Sequence, residues 1–316
     1  MRNFASLTRT RIQLALRNKM FFFFSVVFPL GMFFLYAGIF ARGNPRVVSY
    51  FLGPAIAFNV MGSFWGLSAT LVTFREQGIL RRFHVTPATA TDMLVSSILA
   101  NYVLTIPTIA VELFFARAIF HVPNLGNLTS LFLLVSIGTV SFGSLGLVIA
   151  SITNTMQETQ VLNQLLWLPL IFLSGATIPF TSLSKTVQQI ALFLPATYLV
   201  HGLKNAIVNG FGPEKVLLPL GSLGVWFLLT LFLSSQLFRW EPEAKIGRRA
   251  KLLVAATAIP FVLLGLWEAR YGRVVAEEQV TMQRVENSDK SDQPEKPKEN
   301  QRSTDPSKLD DSKPQK

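Results

Sequence analysis

The sequence predicts an all-α integral membrane protein: a six-span helical bundle with an N-terminal interfacial helix, outer re-entrant helices before the sixth span and a candidate seventh span. Three observations carry this expectation. Half of the 316 residues are drawn from AVILMFWYC and only 15% are charged, against about 25% in an ordinary soluble domain. The apolar residues gather into six long charge-free runs, each close to or above the ~20 residues that cross a bilayer as a helix. Finally, Lys and Arg cluster at the ends of those runs and form no single basic stripe, which is the pattern of a membrane protein and not of a nucleic-acid binder.

The charge is unevenly shared. Residues 273–316 hold 9 Lys/Arg and 10 Asp/Glu, which leaves 20 basic and 8 acidic residues for 1–272, a net +12. Rich in Lys, Glu, Asp, Gln, Ser and Pro, residues 273–316 are expected to be a disordered charged tail, because they bury too little apolar surface to offset the entropy of ordering. The absence of Cys excludes disulfides, thiolate metal sites and cysteine nucleophiles.

Residues 1–19 place Phe4, Leu7, Ile12, Leu14, Ala15 and Leu16 on one helical face and Arg2, Ser6, Arg9, Gln13 and Arg17 opposite, with Arg11 inside the apolar sector. That is an interfacial amphipathic helix, and the apolar run that follows is too long for a cleavable leader. The membrane-spanning body is expected over 20–240, with runs at 20–40, 47–74, 93–111, 128–152, 161–178 and 216–238. Between the fifth and sixth runs, Leu183, Val187, Ile190, Ala191 and Leu194 recur at helical spacing until Pro195, and Leu199, Leu203, Ala206 and Ile207 recur after it. Two short helices at about 179–212, dipping into the membrane where protein shields them, fit that pattern. Residues 241–272 read as a basic loop and a candidate seventh span at 252–267, only 16 residues long and interrupted by Pro260.

Positive residues are retained on the cytoplasmic side. One side of a six-span arrangement collects 13 Lys/Arg and the other 6, which puts the N-terminus in the cytoplasm of a multi-pass plasma (inner) membrane protein. The tail lies outside if the seventh run spans.

No enzyme constellation is present. His84, His121 and His201 fall in three separate places without ligand spacing, so neither a metal nor a catalytic group is expected, and no cofactor on this chain. Glu112 is the one acid well inside a run. Intramembrane carboxylates are functional candidates, but this one lies towards the outer end of its span, within reach of the interface. An ion-driven relay needs several such groups, so the energy source is expected elsewhere. If it is ATP, a separate chain must bind it, because no Gly-Lys pair exists here to build a phosphate-binding loop.

The connection between the second and third runs, about 75–87, contains Arg75, Glu76, Gly78, Leu80, Arg81, Arg82, Thr86 and Pro87. A short basic helix from Arg75 would stop before Thr86-Pro87, since a residue preceding Pro avoids the helical region, and Thr86 would cap the next helix. Glu76, Gly78, Leu80, Arg81, Thr86 and Pro87 look like the E-x-G-x-L-R-x-x-x-x-T-P pattern of the permease subunits of type-2 ATP-binding-cassette exporters. A second match lies in Leu173-Ser-Gly175-Ala-Thr-Ile-Pro179 and in Leu194-Pro195-Ala-Thr-Tyr198 with Gly202-Leu203-Lys204. These resemble the end of that family's fifth span and its outer re-entrant helices. The resemblance covers roughly 1–240; the run after Lys251 and the charged tail depart from it.

That resemblance implies that 75–87 is the coupling helix docking on a separate P-loop ATPase, which binds ATP and Mg. It also implies a dimer with a second permease copy or paralogue, driven by two ATPase copies. Gly62 and Gly66 form a G-x-x-x-G suited to close packing, against a second copy or within the same bundle. Phe58, Asn59, Asn163 and Gln164 are candidates to line a path for an amphiphilic, lipid-like, drug-like or glycan-type substrate, and the amides serve equally as interhelical hydrogen-bonding groups. The rival readings are a membrane-anchoring scaffold and a lipid-modifying membrane enzyme; the second would want paired acids or His at a membrane face.

Overall fold

The structure is a computed structural model that describes residues 27–40, 44–80, 90–237 and 259–292, and every regular element among the described residues is a helix. Helix α1 (Phe28–Phe40) lies antiparallel to α2 (Pro45–Glu76), which starts on the side-chain cap of Asn44 and Pro45 at its first position. Helix α2 has 32 residues, about 48 Å at 1.5 Å per residue. It is buried on every side from Val48 to Met61, as a helix apolar all round must be when it forms the centre of a bundle.

The other helices pack around α2. Helix α3 (Ala90–Ala118) runs antiparallel to it, and α4 (Leu128–Ile152) runs parallel. A Cβ at Gly146 of α4 would stand 2.4 Å from the Phe64 carbonyl oxygen, so the two backbones meet at a point where no side chain fits. Helix α8 (Leu217–Leu237) lies on the other side of α4, held by Ser141 Oγ donating to the Leu223 carbonyl (2.8 Å) and by a Ser144–Thr230 hydroxyl pair. Hydroxyls of this kind join apolar helices where dispersion alone gives no directional preference.

Helix α5 (Met156–Leu173) returns antiparallel to α2. It stops short of the expected 161–178 span, because Gly175 takes a left-handed conformation (φ 84°) and turns the chain. At 18 residues it is about 27 Å long, near the lower limit for a crossing. A single 3-10 turn (Phe180–Ser182) leads to α6 (Lys185–Ala191) and α7 (Pro195–Val208), which meet at 97°. Four helices are long and apolar enough to cross a membrane, or five if the bent α6–α7 pair is one span; this counts the described residues.

The bundle therefore has two ends. One carries Glu76 and the α4–α5 turn; the other carries α6, α7 and Lys204. After α8 finishes at the Glu76 end, α9 (Ile259–Tyr271) and α10 (Arg273–Asp292) lie at the Lys204 end.

Several expectations need correction. Helix α3 does not stop at 111 but carries Glu112 into its buried interior and runs on to Ala118. No separate helix begins at Arg75: α2 continues to Glu76, the chain turns at Gln77 and Gly78 (φ 70°), and helix resumes at Ile79. Residues 273–292, expected to be disordered, form α10, because composition averages away the i, i+4, i+7, i+11 series Val274, Glu278, Thr281 and Val285, all buried. The interfacial helix at 1–19, Arg81, Arg82, Thr86, Pro87, most of the basic loop after 240 and the last 24 residues lie outside the described residues.

Candidate functional site

The segment singled out at 75–87 begins as a junction between three helices. Arg75 is buried, and its Nη1 donates to the carbonyls of Ala150 (2.7 Å) and Thr153 (3.0 Å). Those carbonyls close α4, where a helix presents unpaired acceptors and the negative end of its dipole. Next to it, exposed Glu76 accepts from the Met156 backbone N–H at 2.8 Å through Oε1. Met156 opens α5 with an unpaired donor and the positive end of the dipole. Thr155 and Glu158 complete the cap: Thr155 Oγ1 accepts from the Glu158 N–H (3.2 Å), and Glu158 Oε2 accepts from the Asn154 N–H (2.7 Å), as in a capping box.

Adjacent residues of opposite charge thus tie the end of α2 to the end of one helix and the start of the next. Past the Gly78 turn, Leu80 is 0% exposed and packs with Leu67, Leu71, Leu94, Ile98 and Leu147. Leu80, the last described residue before 90, is thus held in a pinned position.

The residues nominated for a path are divided by the structure. Phe58 packs edge-on to Trp167 with ring centres 4.7 Å apart. Asn59 Nδ2 donates to Glu112 Oε1 at 3.1 Å, and Glu112 is 0% exposed, with its second oxygen unpartnered among the described residues. Burial replaces the expected reach of Glu112 to an interface. Asn163 exchanges hydrogen bonds with Ser68 between α5 and α2. Gln164 is exposed, on a face of α5 that also shows Val161, Leu165, Leu168 and Phe172. Gly62 of α2 has open space where a Cβ would stand and Gly66 is half-buried, so close helix approach within the chain belongs to Gly146 instead.

At the Lys204 end, Gly175 makes the turn after α5, Pro179 precedes the 3-10 turn and Pro195 opens α7. Tyr198 is buried and donates to the Leu192 carbonyl at 2.9 Å, closing the α6–α7 bend. Sequence reasoning did not find the network beside it. Lys204 of α7, 0% exposed, donates to Glu278 of α10 and to the Tyr50 hydroxyl of α2 (3.1 Å), and Tyr50 donates to Glu278 Oε1 (3.0 Å). His201 Nε2 stands 2.9 Å from Glu277 Oε2 and its Nδ1 3.5 Å from Glu278 Oε2, while Asn205 Nδ2 donates to Glu277 Oε2 at 2.9 Å. The signal was present in the sequence as the buried series on α10, but its partners lie more than seventy residues away. No group of His, Asp and Glu suited to a metal occurs among the described residues.

The model of the ABC-2 type transporter family matches residues 2–208. Over 171 residues the chain is 28% identical to the probable multidrug ABC transporter permease YbhS of Escherichia coli, covering 53% of this chain and 45% of that protein. It is 25% identical over 151 residues to the linearmycin resistance permease protein LnrN of Bacillus subtilis, covering 48% and 39%. To the polysialic acid transport protein KpsM of Escherichia coli it is 23% identical over 235 residues, covering 71% and 87%. The chain spans less than half the length of the first two of these relatives. With the junction at Glu76, the bent α6–α7 pair and a family match over about two thirds of its length, this integral membrane chain belongs to the ABC-2 type transporter family.

Proposed function

We propose that this chain is the membrane-spanning permease subunit of an ATP-driven exporter whose ATP is hydrolysed, with Mg, by a separate P-loop subunit docked at the Glu76 end. Helices α1 to α5 and α8 are the six spans, α6 and α7 form the outer re-entrant pair, and the N-terminus is cytoplasmic in the plasma membrane. The working unit is a dimer of two permease copies, or of this chain with a paralogue, on two ATPase copies. The observation that supports this most is the build of the Glu76 end. The loop that bears Arg81, Arg82, Thr86 and Pro87 leaves a buried Leu80 and a junction that grips both α4 and α5. A push on such a loop reaches three helices at once, whereas a free loop would absorb it.

The cargo is an amphiphilic, lipid-like, drug-like or glycan-type molecule. The interior amides Asn59 and Asn163 are taken up between helices, which leaves Gln164 on an exposed face of α5 that combines the amides Gln157 and Gln160 with the apolar Val161, Leu165 and Leu168. The relatives are named for multidrug transport, linearmycin resistance and polysialic acid transport, so drug-like, lipid-like and glycan cargoes all stay within the reading.

The test is copurification with a P-loop ATPase sought in the reading frame adjacent to this chain's. Arg81→Glu with Arg82→Glu should lower the ATPase recovered at least ten-fold at unchanged permease yield; full recovery would overturn the docking assignment. For orientation, Ser184→Cys in this cysteine-free chain should react with an impermeant maleimide from outside intact cells. Labelling from the cytoplasmic side alone would reverse the topology.

A further inference from the structure

We infer that the chain crosses the membrane a seventh time after α8 and continues into an external strap, α10, which holds the re-entrant helix α7 onto α2 and must yield when α7 moves. The word external rests on the orientation proposed above.

The crossing follows from where the ends lie. Leu237 closes α8 beside Val148 and Ile152, at the Glu76 end. A Cβ at Gly265 of α9 would press on the Phe193 ring between α6 and α7, and Val274 of α10 packs with Phe180, Ala191, Leu192 and Tyr198. The chain has therefore travelled from one end of the bundle to the other between 237 and 265.

The strap is tied along its length. Glu268 Oε1 accepts from the Val274 N–H at 2.6 Å, which locks the α9–α10 corner around Gly272 (φ 64°). Glu277 and Glu278 then meet His201, Lys204 and Asn205 of α7 and Tyr50 of α2. Farther on, Asn209 Nδ2 donates to Thr281 Oγ1 at 2.8 Å, Arg284 Nη1 donates to Asn209 Oδ1 at 2.9 Å, and Val285 packs on Tyr36, Tyr50 and Phe51. Every turn of α10 from Val274 to Val285 thus touches α7, the Asn209 that ends it, or α2.

The chemistry of the contact distinguishes a strap from a permanent wall. Removing two charges from water costs about as much as their attraction returns, so a buried ion pair holds register without adding much stability, and an apolar contact would hold more firmly. At the membrane edge both partners rehydrate on separation, which lowers the cost of opening. Apart from the groups named, Arg273 of the strap acts on the Glu277 carboxylate, while Glu268 of α9 faces Tyr198.

The full chain with the single substitution Thr281→Cys, in intact cells, reads the strap through an impermeant maleimide. Thr281 is 1% exposed, so labelling should be slow, and at least ten-fold faster after Glu277→Gln with Glu278→Gln. Equal rates would overturn the strap. Because an unpaired Lys204 can impair folding, Lys204→Met with Glu278→Met provides a second background, in which expression should persist and labelling should be no faster than in the parent; acceleration there would overturn the argument from the ion pair. The pair Asn209→Cys with Thr281→Cys is then bridged by a short reducible bis-methanethiosulfonate in the purified permease–ATPase complex. ATP turnover should fall at least five-fold and return on reduction. A bridged complex with unchanged turnover would overturn the strap as a moving part, and failure to bridge at all would overturn the contact. Labelling of Thr281→Cys only in inverted membrane vesicles, with bridging intact in the purified complex, would fault the orientation while leaving the α7–α10 contact standing, so the two failures are distinguishable.

Discussion

The two ends of α2 are secured by opposite means. At Glu76, each charged side chain meets a helix terminus: Arg75 the carbonyls ending α4, Glu76 the amide starting α5. At Tyr50, side-chain charges meet one another, Lys204 and His201 against Glu277 and Glu278, across three helices that are distant in sequence. A helix terminus is a fixed dipole, so the first arrangement is rigid and local, and a guanidinium keeps its proton at any ordinary pH. Paired side chains respond to protonation and hydration, so the second arrangement is separable. In a chain that passes motion from one end to the other, the rigid grip lies where the proposed ATPase pushes and the separable one where α7 would open.

The largest expected effect is at the separable end. Lys204→Ala or Glu278→Ala strands the other charge in a buried site, a change that costs about 3–5 kcal/mol, whereas Lys204→Met with Glu278→Met should be near neutral. Thermal unfolding of the detergent-solubilised chain reads both; equal damage from single and double variants would break the distinction drawn between the ends. Next comes Arg75→Met, which leaves two buried carbonyls without a donor and should cost about 1–3 kcal/mol per abandoned group at all pH values.

Acid sharpens the contrast. Burial pushes the Glu278 carboxyl up, but Lys204 and His201 overcome it and hold it down at about 2. Glu277 is lowered by its hydrogen bond to His201 against its partial burial. Because both carboxyls are lowered by folding, their contribution is complete above the ordinary value of 4.5 and is lost as the pH falls through the lowered values. Relative to a fully exposed cysteine labelled at the same pH, which corrects for the thiolate fraction, labelling of Thr281→Cys should accordingly rise in acid below that value and stay flat above it through weakly acidic pH.

A control lies midway along α2. Gly146→Ala drives a Cβ into the Phe64 backbone and should destabilise by about 1–3 kcal/mol, the usual cost of overpacking. Gly62→Ala meets open space in the single chain and should raise the melting temperature slightly, by up to about 1 kcal/mol of helix propensity. A loss at Gly62 would mean that a second copy already occupies that space. The smallest effect belongs to Glu76→Gln, which keeps an acceptor for Met156 N–H and removes only the charge–dipole part, about 0.3–1 kcal/mol.

Run length and charge placement were enough to locate α2, α4 and α8 to within a few residues, because a helix that is apolar all round records in its own composition that it is kept from water, by protein around α2 and by the apolar bilayer on most of α8. Pro195 and the spacing on either side of it marked the α6–α7 pair for the same reason: the pattern is local and a proline ends it. The position of Gly78 in the motif was also legible, although its left-handed turn, and hence the start of the next helix at Ile79, was not. What only the tertiary structure decided is the choice of partner. Glu76 stood in the sequence among basic neighbours, yet it binds a backbone amide eighty residues away. Glu277 and Glu278 read as two more charges in a polar tail until α7 and α2 supplied Lys204, His201 and Tyr50 to receive them. A carboxylate attracts any cation or free amide, so its sequence neighbours do not single one out; burial beside one of them does.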